Sequence, residues 1–596
     1  MGGHEQISEH HVGEWSFDLK SSGQVGHVRY RGIEVVRGIQ FVVRDDAWGT
    51  VAGERALSIT APKSSDPAHR SGFEARLAGS FVFPEGVLTC EATLSVRGDE
   101  LQYQFEAVAS GGVRTNRVGF VVLHPLSLAG EPIEIHHANG STSTSAFPDR
   151  ISPHQPFIDL AGLVHPVPGR MTDALGDDAR IEILFDGDVF ESEDQRNWSD
   201  ASFKTYSRPL SMPFPYQISN GQLVRQAVTL RMRAAAPPPN DPVALSPQPA
   251  RSLLVSVTPD WSAPRERPAV GVQLGPDDIA LSEPDLARLL KLLGVDFARL
   301  DVVAEGDILR GAGSLNHLRG TPLELAIHLG AHPAAALGRL VDLLRDHPSG
   351  LSAVWVLSGD APSTMPGAVG LVRSSFGELL ERVPLMVGTD DNFAELNRNP
   401  PDASGVAGIG FSLNPQVHDS SNRAVLETVA AVPAMIATAR SLAPSGAMVA
   451  IGALTLRPRR IIYRPGAIDR LRRDEDSVDP RQHTDFAAAW LTATLAALVG
   501  AGVDRVTTLE LTGARGATHA GLLSRAGRVI ADFTAATEVG QPFLSLSANV
   551  VAIPLVGPHH RSVLIANLED QPREFRVFDT DYSFTPYQTR LLLEGT

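Results

Sequence analysis

Short runs of alternating apolar and polar residues fill the first 235 positions: HVRYRGIEVV, IQFVVRD, FEARLAGSFVF, LTCEATLSVRG, LQYQFEAVA, VGFVVLHP, RIEILFDG and VRQAVTLRMR. A period of two places one face of a strand in a core and the other outside it. Turn residues interrupt these runs about every ten positions, and helical spacing is nearly absent. The pattern predicts an N-terminal β-sandwich over 1–235. A proline-rich stretch, AAAPPPNDPVALSPQP, then breaks the rhythm, and 236–266 reads as a linker.

Beyond it the period changes. Apolar strands VGVQLG, FARLDVV, LELAIHLG, SAVWVLSG, VPLMVGTD, GIGFSLN, AMVAIGAL and RVTTLEL alternate with helical patterns such as EPDLARLLKLL, AAALGRLVDLLRD, FGELLERV, AVLETVAAVPAMIATARSL and TDFAAAWLTATLAALVGAG. Continuously apolar strands suit a parallel sheet covered on both faces. Eight of them within 267–536 predict a (β/α)₈ TIM-like barrel. A doubly wound sheet is the alternative, weakened because no GxGxxG follows the first strand. The remainder, 537–596, returns to strands and is too short to bury much core alone, so it predicts a small C-terminal β-domain. The fold class is multidomain α/β plus β.

Composition narrows the function. The chain of 596 residues carries 68 acidic and 52 basic side chains, a net charge of −16, which disfavours a general nucleic-acid surface. Cys90 is the sole cysteine, so an intramolecular disulfide and Cys–Cys zinc sites are excluded, and its apolar surroundings (LTCEATLSV) predict a core filler. The N-terminus MGGHEQISEHHVGEW lacks a secretory pattern, and Gln6 stands where myristoylation wants Ser or Thr. No stretch of about 18 apolar residues runs free of charges and helix breakers, so no membrane partner is expected and a cytoplasmic location is. The pattern says nothing of oligomeric state.

The densest candidate chemistry is the run 190–206, FESEDQRNWSDASFKTY. Carboxylates share general acid and base work, amides and cations hold hydroxyls, and aromatic faces stack on sugar rings. A salt-bridged connection between strands is the competing reading. A second set comes from the C-terminal ends of the barrel strands, where this fold places its chemistry: Asp301, His328, Ser358, then Thr389, Asp390, Asp391 and Asn392, then Ser412, Asn414, Gln416 and His418, then Thr455, Arg457 and Glu510. GTDDNFAELNRNPP is its strongest member, against the reading of a capped helix start. In SLNPQVHDSSN, Asn414, Gln416 and His418 suit a polyol pocket, against a plain Asn-Pro turn.

Other chemistries lack support. His136 and His137 are neighbours in a strand and face opposite sides, which suits one metal poorly. No HExxH or three-His set is present; no cofactor is predicted, though a carboxylate-held divalent metal stays open because oxygen sites leave weak signatures. No GxSxG elbow occurs. The fourth and seventh strands end without the Asn-Glu and Glu of retaining barrel glycosidases, so a glycoside hydrolase would need noncanonical carboxylates.

These residues resemble the D-apionate lactonases, which hydrolyse D-apionolactone to D-apionate in apiose catabolism. The matching stretches are RYRGIEVVRGIQFVVRDDAWGT, GFVVLHP, FPDRISPHQPF and above all FDGDVFESEDQRNWSDASFKTYSRPL, with GTDDNFAELNRNPP and NPQVH in the barrel. The resemblance implies the three-part architecture and a small sugar lactone as the partner. On chemical grounds Glu191, Glu193, Asp194 or Asp390 is the base that activates water. Arg196 or Lys204 faces the developing oxyanion, Asn197, Asn392, Asn414 and His418 hold hydroxyls, and Trp198 or Tyr206 covers an apolar face.

Overall fold

A computed structural model describes residues 7–51, 53–60, 72–167, 179–233, 254–275, 278, 281–306, 308–310, 312, 315, 318, 322–345, 350–359, 361–459 and 477–595. The chain divides into two units, Met1–Gln195 with Ser202–Leu245, and Arg196–Ala201 with Ser246–Thr596.

The first unit is built on one hydrogen-bonded sheet of 16 strands. Its long strands Gly72–Phe83, Gly86–Arg97 and Glu100–Gly111 alternate buried and open positions, as their sequence does. The sheet folds over on itself. Phe41 meets Phe105 with ring centroids 4.0 Å apart, and Phe17 meets Phe73 at 5.3 Å, although each pair sits on strands far apart in the sheet order. The predicted sandwich is therefore the two layers of one bent sheet. Cys90 lies in its core, where burial pushes the thiol up to about 11 and leaves it unreactive.

The run 190–206 proves to be a hairpin. Strands Phe190–Asp194 and Ser202–Tyr206 pair in the middle of the sheet, flanked by Phe157–Pro166 and Arg117–Pro125, with every position buried. No apolar alternation marks them, because polar side chains fill both faces. The connecting residues Arg196–Ala201 belong to the second unit.

In the second unit eight parallel strands close into a barrel: β1 (Ala269–Gln273), β2 (Phe297–Glu305), β3 (Leu323–Leu329), β4 (Leu351–Ser358), β5 (Leu385–Gly388), β6 (Gly408–Leu413), β7 (Met448–Leu454) and β8 (Arg505–Glu510), with β1 bonded to both β2 and β8. All eight are the strands read from the sequence. Helix Glu283–Leu293 shows why the local signals work: Ser282 caps its start by accepting from the Asp285 N–H, and Gly294 ends it at φ 64°.

Two expectations need correction. The helix expected at 376–383 lies upstream, at Ala368–Phe376, and only a 3₁₀ turn, Gly377–Leu380, follows it. Gly377, at φ 52°, stops the helix before the leucines that suggested it. Of the expected linker, 236–253 falls outside the described residues, but Val255–Ser256 and Asp260–Glu266 are strands. Asp260–Glu266 pairs with Glu538–Gln541 and Val255–Ser256 with Arg573–Val577, so the C-terminal β-layers take strands from before the barrel. Pro264 and the exposed polar positions of this segment hid its strand character.

Helix Asp485–Ala501 is buried over nearly its whole surface and packs against those C-terminal strands, as an all-apolar helix must. The run Asn422–Ser441 is apolar and long enough to cross a membrane by composition. It carries Arg423, Glu427 and Arg440, is interrupted by a 3₁₀ turn at Thr428–Ala431, and has 56% of its most apolar window buried as core.

Candidate active site

In β2, Arg299 and Asp301 are two residues apart and so share the inward face of the barrel. β3 contributes Glu324 and His328 by the same rule, β4 Trp355, and the β5 end Asp390. Arg299 is fully buried. It donates to Asp390 Oδ1 (3.0 Å) and Glu324 Oε1 (3.4 Å), and its guanidinium lies 4.6 Å from the Trp355 ring centroid. Arg505 donates to Glu324 Oε2 from the other side. Arg459, just after β7, donates to Asp301 Oδ2 (2.7 Å) and Gln273 Oε1 (3.4 Å) and stands 3.8 Å from Asp390 Oδ2 and 3.9 Å from Glu510. Arg515 pairs with Glu510 at 2.7 Å.

Four guanidiniums thus face four carboxylates in a largely buried centre. Unpaired, any one of these charges would be costly to bury; paired, they fix one another's geometry. Burial opposes ionisation of Asp301, but Arg459, His328 and Arg299 outweigh it and hold the carboxyl well below the usual range. The neighbouring carboxylates raise the Arg459 pKa against the effect of burial. Gly452 on β7 makes room for the Arg299–Asp390 pair, since a Cβ there would stand 3.0 Å from Arg299 Nη1 and 3.4 Å from Asp390 Oδ1.

Asp301, His328 and Asp390 present ligand atoms within 4.8 Å of one another. Such a trio suits a divalent ion, but here the charge of both carboxylates is already met by Arg299 and Arg459. The cluster is accordingly read as an ion-pair centre. The two sandwich histidines diverge as their spacing predicts: His136 Nε2 pairs with Glu134, and His137 Nε2 with the Ser143 hydroxyl.

Two cavities open beside Asp390 and Asp391. One is lined by Asn392, Ser412, Asn414, Thr455 and Arg459, the other by Ser358, Ser363 and Thr389. Ser412 donates to Asp390 Oδ1 (2.9 Å), and Asn414 Nδ2 donates to Asn392 Oδ1 (3.0 Å). Gln416 and Arg457 do not join them. Gln416 donates to the Leu456 carbonyl and Asp479, and Arg457 pairs with Asp479.

The segment Arg196–Ala201 packs with the helix after β5, Phe393–Arg398, and with the loop after β6. Asn397 donates to Asn197 (2.9 Å), Arg398 lies over the Trp198 ring, and His418 Nδ1 is 2.5 Å from Asp200 Oδ2, edge-on to Trp198. Arg196 is buried in the same segment.

The remaining candidates of the run are side chains of the sheet. Tyr206 donates to Glu191 Oε1 (2.6 Å), which also accepts from the Leu210 N–H (2.7 Å). Lys204 pairs with Glu193 at 2.8 Å, directly across the hairpin, and Asp194 accepts from the Ser152 N–H (3.0 Å). Arg117 stacks on Tyr206. Behind them Ser192, Thr205 and His124 form a buried chain of 2.7 and 2.8 Å contacts.

Sequence reading missed Arg299, Glu324 and Arg459. A charge inside a strand as apolar as LELAIHL or FARLDVV was the available signal for the first two. Arg459 carried none, being placed only by the turn after β7.

A closed parallel barrel with charged groups and cavities at the C-terminal strand ends defines a TIM-barrel enzyme. The D-apionate lactonase N-terminal domain model matches residues 3–235, and the D-apionate lactonase TIM-barrel domain model matches 271–539. The chain belongs to the D-apionate lactonase family. A D-apionate lactonase from Brucella anthropi is 27% identical over 534 residues, covering 85% of this chain and 83% of that protein. Among solved structures, a 4-O-α-L-rhamnosyl-β-D-glucuronidase from Fusarium oxysporum aligns at 12% identity over 54% of this chain and 84% of that one, TM-score 0.36. A family 51 α-L-arabinofuranosidase from Bifidobacterium longum aligns at 11% identity over 56% and 92%, TM-score 0.39. Likenesses this distant bear on no question of activity.

Proposed function

We propose that the protein opens a sugar-acid lactone, D-apionolactone to D-apionate, by attack of a base-activated water in the cavity beside Asp390. The observation that carries this reading is the placing of Asp390, which lines both cavities with Oδ1 fixed by Arg299 and Ser412 and Oδ2 turned toward His328 and Arg459. A carboxylate so held keeps one oxygen oriented for a water proton. Water oxygen bonds to the lactone carbonyl carbon, and its proton passes to Asp390. The carbonyl oxygen becomes an oxyanion facing Arg459, a fixed charge in a low-dielectric site. Collapse re-forms the carbonyl and breaks its bond to the ring oxygen, which departs as a hydroxyl on taking a proton. Asn392 and Asn414 hold ring hydroxyls. Glu191, Glu193, Asp194, Lys204 and Tyr206 keep the hairpin together.

The test is acid release from D-apionolactone and related aldonolactones, with aryl glycosides beside them and a chelator in parallel. Lactone opening that survives chelation and leaves glycosides intact is expected. Glycoside cleavage without lactone opening would replace this reading with that of a glycoside hydrolase using noncanonical carboxylates.

A further inference from the structure

One acceptor in the wall of the first cavity lacks a donor. Asn414, just past the end of β6, is 5% exposed and lines the cavity with Asn392. Its Nδ2 donates to Asn392 Oδ1 at 3.0 Å, while its Oδ1 has no donor among the described residues. A buried acceptor left unmade is costly, and a ligand O–H completes it. To select a hydroxyl, such an acceptor must be held in place.

Arg481, which no step of the lactone chemistry touches, holds the loop that follows Asn414. Its five N–H groups meet five acceptor oxygens. Nε and Nη2 fork onto Asp479 Oδ1 and Oδ2, both at 2.8 Å. Nη2 also reaches Gln416 Oε1 (3.1 Å), and Nη1 reaches the Ser420 carbonyl (2.9 Å) and Asn422 Oδ1 (2.7 Å). The guanidinium lies 4.6 Å from the ring centroid of Phe486, in the buried helix Asp485–Ala501.

Gln416, Ser420 and Asn422 span the loop from just beyond Asn414 to the first residue of the helix Asn422–Glu427. Gln416 is tied twice more, donating to Asp479 Oδ2 (2.7 Å) and to the Leu456 carbonyl. Burial opposes ionisation of Asp479, but the bonds from Arg481 and Gln416 outweigh it and hold the carboxyl below its usual value. The fork therefore stays charged. A lysine, with three donors on a point charge, cannot reproduce this set.

We propose that Arg481 is a positioning residue for the lactone: by fixing the loop after β6, it keeps Asn414 Oδ1 presented to the cavity as the acceptor for a substrate hydroxyl. The role rests on the lactonase reading above. It makes the site prefer lactones that carry a hydroxyl, because one without it leaves Asn414 Oδ1 unpaired. That contact is made in the ground state and the transition state alike, so its loss falls on KM more than on kcat.

The experiment is a double-mutant cycle on D-apionolactone with wild type, Arg481→Ala, Asn414→Leu and the two together, and Arg481→Lys beside them. Amide hydrogen exchange over 414–422 is followed in the same proteins. Arg481→Ala should raise KM about tenfold with kcat little changed, and millimolar guanidinium should recover part of the loss. Arg481→Lys should fall between Arg481→Ala and wild type. Asn414→Leu should raise KM by a similar factor, and the double variant should be little worse than either single one, because both remove the same contact. Exchange across the loop should quicken in Arg481→Ala and, less, in Arg481→Lys.

A fall in kcat at constant KM, the mark of a smaller folded fraction, overturns the proposal. Losses that multiply in the double variant overturn it too, since Arg481 then does not act through Asn414. Unchanged exchange in both Arg481 variants removes the hold on the loop. A wild type that opens no lactone overturns the lactonase reading and this role with it, while exchange still reads whether Arg481 fixes the loop.

Discussion

The hairpin 190–206 and the barrel mouth are made of the same materials and use them differently. Each buries carboxylates, cations and an aromatic face. In the hairpin strands the partners are short-range and reciprocal: Glu191 with Tyr206 and a backbone N–H, Glu193 with the Lys204 opposite it, Asp194 with a backbone N–H. In the barrel the charged partners come from five strands or their ends, the contacts stretch from 2.7 to 3.9 Å, and cavities open beside them. A pair fixed by strand register stabilises a sheet. Charges converging from many strands on a space that a ligand can enter can do chemistry.

The sharpest break of this contrast is Asp390→Asn, which should lower kcat on the lactone by about 10³ with the melting temperature nearly unchanged. Glu193→Gln should do the reverse, costing stability while sparing kcat. Equal losses of kcat in both would erase the distinction. Next comes Arg459→Lys, which keeps the charge but not the fork that spans Asp301 and Gln273, and should cost about 10² in kcat.

The two regions should also answer acid in opposite senses. Burial, then the His165 ring, lowers His124 to about 3, and burial lowers His165 to about 4, so both stay neutral in the folded sheet. The unfolded chain binds their protons below about 6.5, so this stability is present above that pH and drains as pH falls toward 4, by about 2 kcal/mol per ring at pH 5. Glu395, raised to about 7, gives a term present below about 4.5 that is lost as pH climbs through 7. Denaturant titrations from pH 5 to 8 on wild type, His165→Gln and Glu395→Gln read both slopes, each variant flattening its own limb. The smallest effects test packing. Glu191→Gln should cost about 1–3 kcal/mol by weakening acceptance from Tyr206 and Leu210. Gly452→Ala should reduce kcat several-fold by crowding Arg299 against Asp390, seen as a kcat change at constant KM.

The barrel was legible because its signals are local. Eight apolar strands, a capped helix such as Glu283–Leu293 and an apolar Asp485–Ala501 each declare themselves within a dozen or so residues. The strand ends also put Asp301, His328, Asp390, Asn392 and Asn414 in one polar set at the barrel rim. The hairpin was legible as chemistry but not as structure, since strands with polar groups on both faces show no period of two. Gln416 was misjudged for a related reason: an amide in a loop reads alike whether it faces a cavity or locks a turn through Asp479.

By itself, then, the sequence determined the barrel, its polar rim and the family, because periodicity, turn chemistry and residue type are properties of neighbours along the chain. Tertiary structure alone decided which charges meet. Arg299 and Asp390 are 91 positions apart, Asp301 and Arg459 158, and barrel closure joins them. It also decided that Phe190–Asp194 and Ser202–Tyr206 lie inside a sheet, while Arg196–Ala201 between them packs with the barrel. Electrostatic and packing energies depend on distance in space, and only the closed fold sets it.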